Sequence, residues 1–326
     1  MPNEIRIQPP SEQIVRGTPM TVRVTVVLDE PLKVRGMHAK FHGAEETRAV
    51  YTTSSTDSKG RVTTQTHTAV EHVDVTTQAH LMSGNERLGF FGNLSDAVAT
   101  IFGGGKHETM QPGEYPFDVE VSIPDDAPPT HVGEKTRVFY ELSFQVDVPL
   151  ATDLKATQSF DLAVLPAFAA ETNPVRTRYP DDEGRGLMDS LLGPDVRIEL
   201  ALAADRFRPG ELIEGIFRVE TDKPLNCRSI RVRLVGVETS QAHGHGDSYA
   251  HLGKPVEVAT PGVFDGSYKQ EFSLPAEAEG PLTAKGKLFS IDWFVQVELD
   301  VPWAKDPKIR APIALCALPA SGLGVE

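Results

Sequence analysis

The residues best equipped for chemistry crowd into one stretch, QAHGHGDSYAHLG, where His243, His245 and His251 accompany Asp247. Three imidazoles and a carboxylate are a donor set for zinc or nickel. Their spacing matches no familiar zinc motif, and neither cysteine joins them. A metalloprotein centred on this loop is one reading; a glycine-rich surface loop between strands is the better supported one. His38 and His42 lie four apart on a predicted strand. At about 3.3 Å rise per residue their Cα atoms stand roughly 13 Å apart. A single ion bound about 2 Å from each nitrogen cannot bridge that gap, so both histidines read as solvent-facing.

Nucleophilic catalysis finds no frame. The chain has no G-x-S-x-G elbow, and GHGDS does not place its serine as one requires. Cys227 has Arg228 beside it, a neighbour that lowers a thiol pKa. It occupies a repeated turn that carries Val34 elsewhere in the chain, which favours a small apolar structural role. Asp125-Asp126 and Asp181-Asp182-Glu183 fall in Pro- or Gly-rich turns, where solvation is a better reading than calcium. Gly103-Gly104-Gly105 precedes Lys106 without P-loop spacing. These residues predict neither an enzyme nor a cofactor.

The rest of the chain must therefore explain itself as architecture. Its 326 residues suit two domains of ordinary size. A formal net charge of −14 opposes nucleic acid as a partner. It also opposes a broadly basic membrane-docking face, although a local patch leaves peripheral membrane association open. The apolar runs fall short of a membrane span. The first twenty residues lack the apolar core of a signal peptide. Cys227 and Cys316 are the only cysteines, so no disulfide framework is implied and a cytoplasmic location is expected.

Strand signals dominate. Met20, Val22, Val24, Val26 and Leu28 alternate with polar Thr21, Arg23 and Thr25, a period of two that buries one face. Tyr115 to Ile123 and Val138 to Val148 alternate likewise. Further strands are predicted at 160–165, 196–202, 213–219, 229–237, 268–274 and 291–301. Frequent Pro and Gly between two-faced strands predict antiparallel sandwiches. One short helix is expected over Leu94, Val98, Ile101 and Phe102, and a turn of helix over 187–192. The stretch from Glu171 to Asp195 is polar, turn-rich and without alternation. It reads as the connection between domains.

The chain also repeats itself. DEPLKVRGMHAKFHGAEE from Asp29 is matched by DKPLNCRSIRVRLVGVET from Asp222, an offset of 193 (222 − 29). Pro31-Leu32, Arg35, Gly43 and Glu45 meet Pro224-Leu225, Arg228, Gly236 and Glu238. Two later blocks follow in the same order: YPFDVEVSIPDDAPP resembles SYKQEFSLPAEAEGP, and YELSFQVDVP resembles WFVQVELDVP. So long a period denotes a duplicated domain, not a solenoid. The predicted units are 1–170, a linker 171–194, and 195–326.

Over nearly the whole chain these blocks resemble the arrestin-like superfamily. PLKVRGMHAKFHGAEETR, GEYPFDVEVSIPDDAPP and VFYELSFQVDVP follow the order of its N-domains, and FRPGELIEGIFRVETDKPLNCRSIRVRLVG is similar to its C-domain opening. Among relatives, the bacterial sporulation-control proteins and the arrestin-like retromer subunit are nearer than visual arrestins. The visual arrestins' phosphate-sensing lysine pair and polar core have no counterpart in the sequence. The resemblance implies an all-β fold of two tandem immunoglobulin-like β-sandwiches with a short helix in the first. It implies a non-catalytic cytoplasmic adaptor or scaffold that binds other proteins, in bacterial sporulation or stress regulation. The alternatives are a membrane-associated trafficking or coat-type component, and the metalloprotein above. Leu187, Met188, Leu191 and Leu192 are the partner-binding candidates, being large apolar residues in a polar linker. Unpaired edge strands offer a route to a homodimer.

Overall fold

The computed structural model describes residues 3–10, 14, 16–83, 86–87, 108–162, 172–179, 196–277, 279–304 and 306–316, and every regular element among them is a strand. In the first half these are β1 (Glu4–Gln8), β2 (Met20–Leu28), β3 (Leu32–Val34), β4 (Gly36–Thr56), β5 (Val62–Ser83) and β6 (Glu86–Arg87). They continue with β7 (Glu108–Met110), β8 (Gly113–Val121), β9 (His131–Val132), β10 (Thr136–Asp147) and β11 (Leu154–Phe160). The second half begins with β12 (Val175–Tyr179), β13 (Val196–Leu202), β14 (Arg206–Phe207), β15 (Leu212–Cys227), β16 (Ser229–Ala242) and β17 (His245–Leu252). It ends with β18 (Val256–Ala259), β19 (Gly262–Pro275), β20 (Ala284–Lys285), β21 (Phe289–Asp300) and β22 (Lys308–Leu315).

Each half builds its own two sheets. The first pairs β1-β2-β8 against β11-β10-β4-β5-β6, with β3 and β7 forming a short ribbon. The second sets β12-β13-β15-β19 against β14-β22-β21-β16-β17. Among the described residues no sheet mixes strands of the two halves, which we call the first and second lobes. The alternation read from the sequence fills the space between sheets. Val22, Val24 and Val26 of β2 are fully buried, as are Phe41, Tyr140, Leu142 and Phe144 from the facing sheet. Ile213, Phe217 and Val219 meet Ile230, Val232, Trp293 and Val295 in the second lobe. Each such side chain contributes about 1.5–3 kcal/mol. The fold is the all-β pair of mainly antiparallel sandwiches that the strand pattern predicts.

The repeat is structural as well as textual. Tyr140 lies opposite Gly43 and Trp293 opposite Gly236 in the ladders. A Cβ on either glycine would fall 2.4 Å from the tyrosine ring or 2.8 Å from the indole, so only glycine admits the large ring at that rung. Tyr140 Oη then donates to Pro128 O (2.8 Å), and Trp293 Nε1 donates to Pro281 O (3.0 Å). At the far ends of these strands Arg35 pairs with Asp147 and Arg228 with Asp300.

One boundary needs correcting. The linker expected over 171–194 contains β12, which pairs along β13 from Val175–Leu202 to Tyr179–Ile198 and so belongs to the second lobe's sheet. Its Val175, Thr177 and Tyr179 do alternate with Arg176 and Arg178, but only for five residues wedged between Pro174 and Pro180. That is too short a run to stand out against a polar surrounding. The helical segments expected at 94–102 and 187–192 lie outside the described residues, and with them the candidates Leu187, Met188, Leu191 and Leu192.

Candidate functional site

Four strands run inward to where the lobes meet. β4 and β16 each continue their core-facing row past the ring-filled glycine to a carboxylate: Gly43 to Glu45, and Gly236 to Glu238. Both acids are buried, at 1% and 0% exposure. An ion so placed is tolerated only if its lone pairs are filled. Each fills them from the opposite lobe. Glu45 accepts from the backbone N–H groups of Lys287 (2.9 Å) and Leu288 (3.1 Å), just before β21. Glu238 accepts from Glu134 (3.0 Å) and Lys135 (2.8 Å), just before β10. Gly133 and Gly286 precede those amides, and a Cβ on either would collide with the carboxylate oxygen it faces.

The reciprocity extends one step along each strand. Thr47 Oγ1 donates to Gln241 O (2.6 Å), and Ser240 Oγ donates to Arg48 O (2.8 Å). Two copies of one surface exchanging the same bonds describe an isologous contact, made here within one chain.

Glu238 holds more partners than its twin. Thr136 Oγ1 donates to it at 2.7 Å, and His251 Nε2 lies 2.9 Å away, donating in the tautomer with its proton there. Burial works against the charge on Glu238, but the hydrogen bonds from Thr136, His251 and the two backbone amides outweigh it. They hold the carboxyl below the usual range. The His251 ring also stacks on Trp293, with centroids 6.2 Å apart. His131, from the first lobe, meets Phe289 of the second at 4.8 Å, and its pKa is lowered chiefly by burial.

The histidine-rich stretch is part of this seam. His243 and Gly244 form the two-residue turn of the β16–β17 hairpin, both with positive φ (51° and 79°). This is the left-handed pair that a tight hairpin turn demands. His245 lies flat on Tyr51 of the first lobe, ring centroids 3.6 Å apart. Asp247 accepts from Val50 N (2.9 Å) and Lys135 Nζ (2.6 Å). Burial raises the Asp247 pKa, yet the Lys135, Val50 and Ser248 bonds together bring it below the usual range. His243 donates its backbone N–H to Glu71. His243, His245 and Asp247 are therefore each engaged differently across the interface, while His251 is held by Glu238 and Trp293 of its own lobe. No group of three or more His, Cys, Asp or Glu suited to a metal occurs among the described residues. His42 bonds to Asp74 at 3.0 Å, and Cys227 is fully buried with its thiol pushed up to about 11 by burial.

The acids at the centre are not catalytic candidates by type or spacing, so a search for motifs passes over them. The signal was present all the same. Glu45 and Glu238 stand at matched positions of the repeat, on the core-facing parity of their strands, where a carboxylate has no business unless a partner waits for it.

Residues 4–168, just over half of the chain, match the family model for the arrestin (or S-antigen) N-terminal domain. The chain belongs to the arrestin family. No curated protein matches it. Arrestin-like domains bind other proteins, and membership in the family points to a non-enzymatic adaptor or scaffold role.

Proposed function

We propose that this arrestin-family chain is a cytoplasmic, non-catalytic adaptor whose two lobes present partner-binding surfaces in a fixed relation. The observation that carries this reading is the reciprocal carboxylate seam. Two buried anions, each accepting two backbone N–H groups from the other lobe, tie the sandwiches into one unit, and most of the groups a chemist would recruit for metal or acid–base work are spent on that tie. The resemblance of the strand blocks to sporulation-control proteins supports a setting in bacterial sporulation or stress regulation.

Affinity capture from the native cell tests it. The intact chain should recover a discrete set of partner proteins, and Glu45→Ala with Glu238→Ala should recover several-fold less at equal folded protein. Flotation with vesicles in place of partner capture would support a coat-type component. Stoichiometric zinc in the purified protein, lost with His243 and His245, would overturn the adaptor reading.

A further inference from the structure

Strand β19 is an edge: β15 is its only ladder partner among the described residues, and it closes the β12-β13-β15-β19 sheet. An edge strand offers a row of backbone donors and acceptors to another chain. The corresponding edge of the first lobe, β8, is interrupted by Pro116, which removes a donor. β19 has no proline between Gly262 and Pro275, and beyond Gly266 it pairs with β15 without a bulge.

From the sequence written on this edge, we propose that β19 pairs antiparallel with β19 of a second copy of the chain, centred on Gln270. In an antiparallel pair, residues directly opposite share a face. About Gln270, Lys269 meets Glu271 of the second copy and Glu271 meets its Lys269, both on the exposed face. On the other face Tyr268 meets Phe272, and back on the exposed face the next rung sets Ser267 against Ser273. Moving the centre by one residue in either direction puts Lys269 or Glu271 opposite itself. Opposite charges across a rung stabilise a sheet and like charges oppose it, so the charges favour this register over its two neighbours.

The isolated chain leaves this pattern unspent. Lys269 lies opposite Arg218 of β15, a like charge, and Glu271 lies opposite Ile216. Arg218 is already engaged by Glu220 and by Ser267. The outward Glu271 carbonyl is held by the side-chain amide of Gln270 (2.9 Å), a donor that an incoming strand replaces. A twofold contact through one strand buries little area, which places the dimer among weak, concentration-dependent interfaces.

Sedimentation velocity on the full chain from about 1 to about 100 µM tests the pairing, a range matched to an interface of this size. The wild type should pass from monomer to dimer. Lys269→Glu and Glu271→Lys each set like charges against one another at both symmetric rungs and should weaken dimerisation about tenfold. The double variant should restore it. The two single variants, mixed, should dimerise with each other, because each supplies the charge the other lacks. Circular dichroism verifies that these exposed substitutions leave the fold intact. A wild type that stays monomeric overturns the proposal and leaves the edge to a strand of another protein. A dimer indifferent to both single changes, or single variants that fail to cross-pair, also overturns it.

Discussion

Removing the Glu238 carboxylate should cost more than removing its twin, and the difference can be worked from the seam. In Glu238→Ala, the N–H groups of Glu134 and Lys135, the Thr136 hydroxyl and the His251 ring all lose their acceptor in a site with no solvent exposure. Each buried donor left unpaired costs about 1–3 kcal/mol. Water entering the space left by the side chain offsets part of the sum, so the net loss should resemble that for breaking a buried charge hub, about 3–5 kcal/mol. Glu45→Ala strands only the amides of Lys287 and Leu288, and should cost about 2–3 kcal/mol. Urea unfolding followed by tryptophan fluorescence measures both. Trp293 is 1% exposed beside His251, whereas Trp303 is fully exposed already, so the signal reports the seam. A loss below about 1 kcal/mol for Glu238→Ala, against the range expected for a buried pair, would refute the reasoning. So would a larger loss for Glu45→Ala.

Other outcomes follow from the same contacts. Gly133→Ala and Gly286→Ala should each destabilise by about 1–3 kcal/mol, because the added methyl meets a carboxylate pinned by two amides; the urea midpoint measures it. Stability should fall on acidification in two stages. His131, Glu238 and Asp247 all have folded-state pKa values below their ordinary ones. Each therefore contributes stability present above its unfolded value and lost as the pH falls through its folded value. The urea midpoint should be flat above about pH 7, begin to decline below 6.5 as His131 resists protonation, and drop further below 4.5 with the carboxylates. A midpoint unchanged down to about pH 4 would contradict this. Cys227, fully buried with its thiol near 11, should resist alkylation at about pH 8 in the folded chain and react once it is unfolded in urea.

The strands that can be read from the sequence are those with one apolar face. β2, β8, β10 and β21 announce themselves because nearly every second residue is aliphatic or aromatic. β5 does not. Thr63, Thr64, Gln65, Thr66, His67 and Thr68 put polar residues on both faces of a hairpin arm that stays largely exposed, so burial leaves no period to detect. β11, LKATQSF, is hidden for a different reason: its inward row is Leu154, Ala156, Gln158 and Phe160, and the small and polar members break the apolar period, so the sequence predicts a strand at 160–165 instead. The metal-like loop misleads in a different way. His243, His245, Asp247 and His251 are close in sequence, but a two-residue turn places them on a hairpin whose faces point to different neighbours. What gives His243, His245 and Asp247 their roles is a contact from the other lobe, more than a hundred positions away, while His251 serves Glu238 of its own lobe.

That dependence also explains why the seam is legible once the repeat is taken as physical. If one lobe's surface was complementary to a copy of itself, duplication supplies both halves of the contact at once, and every bond must then occur twice. The pairs Glu45 and Glu238, Thr47 and Ser240, and Gly133 and Gly286 obey this rule. The exceptions are therefore the informative residues. His251 and Thr136 attend Glu238 alone, Lys135 reaches Asp247, and Tyr51 carries His245. All of these lie on the side where β17 crosses β4. The twofold bonds hold the lobes together, and this added set makes one side of the junction stiffer than the other. Any relative movement of the lobes on binding should therefore open first at Glu45, with Glu238 as the pivot.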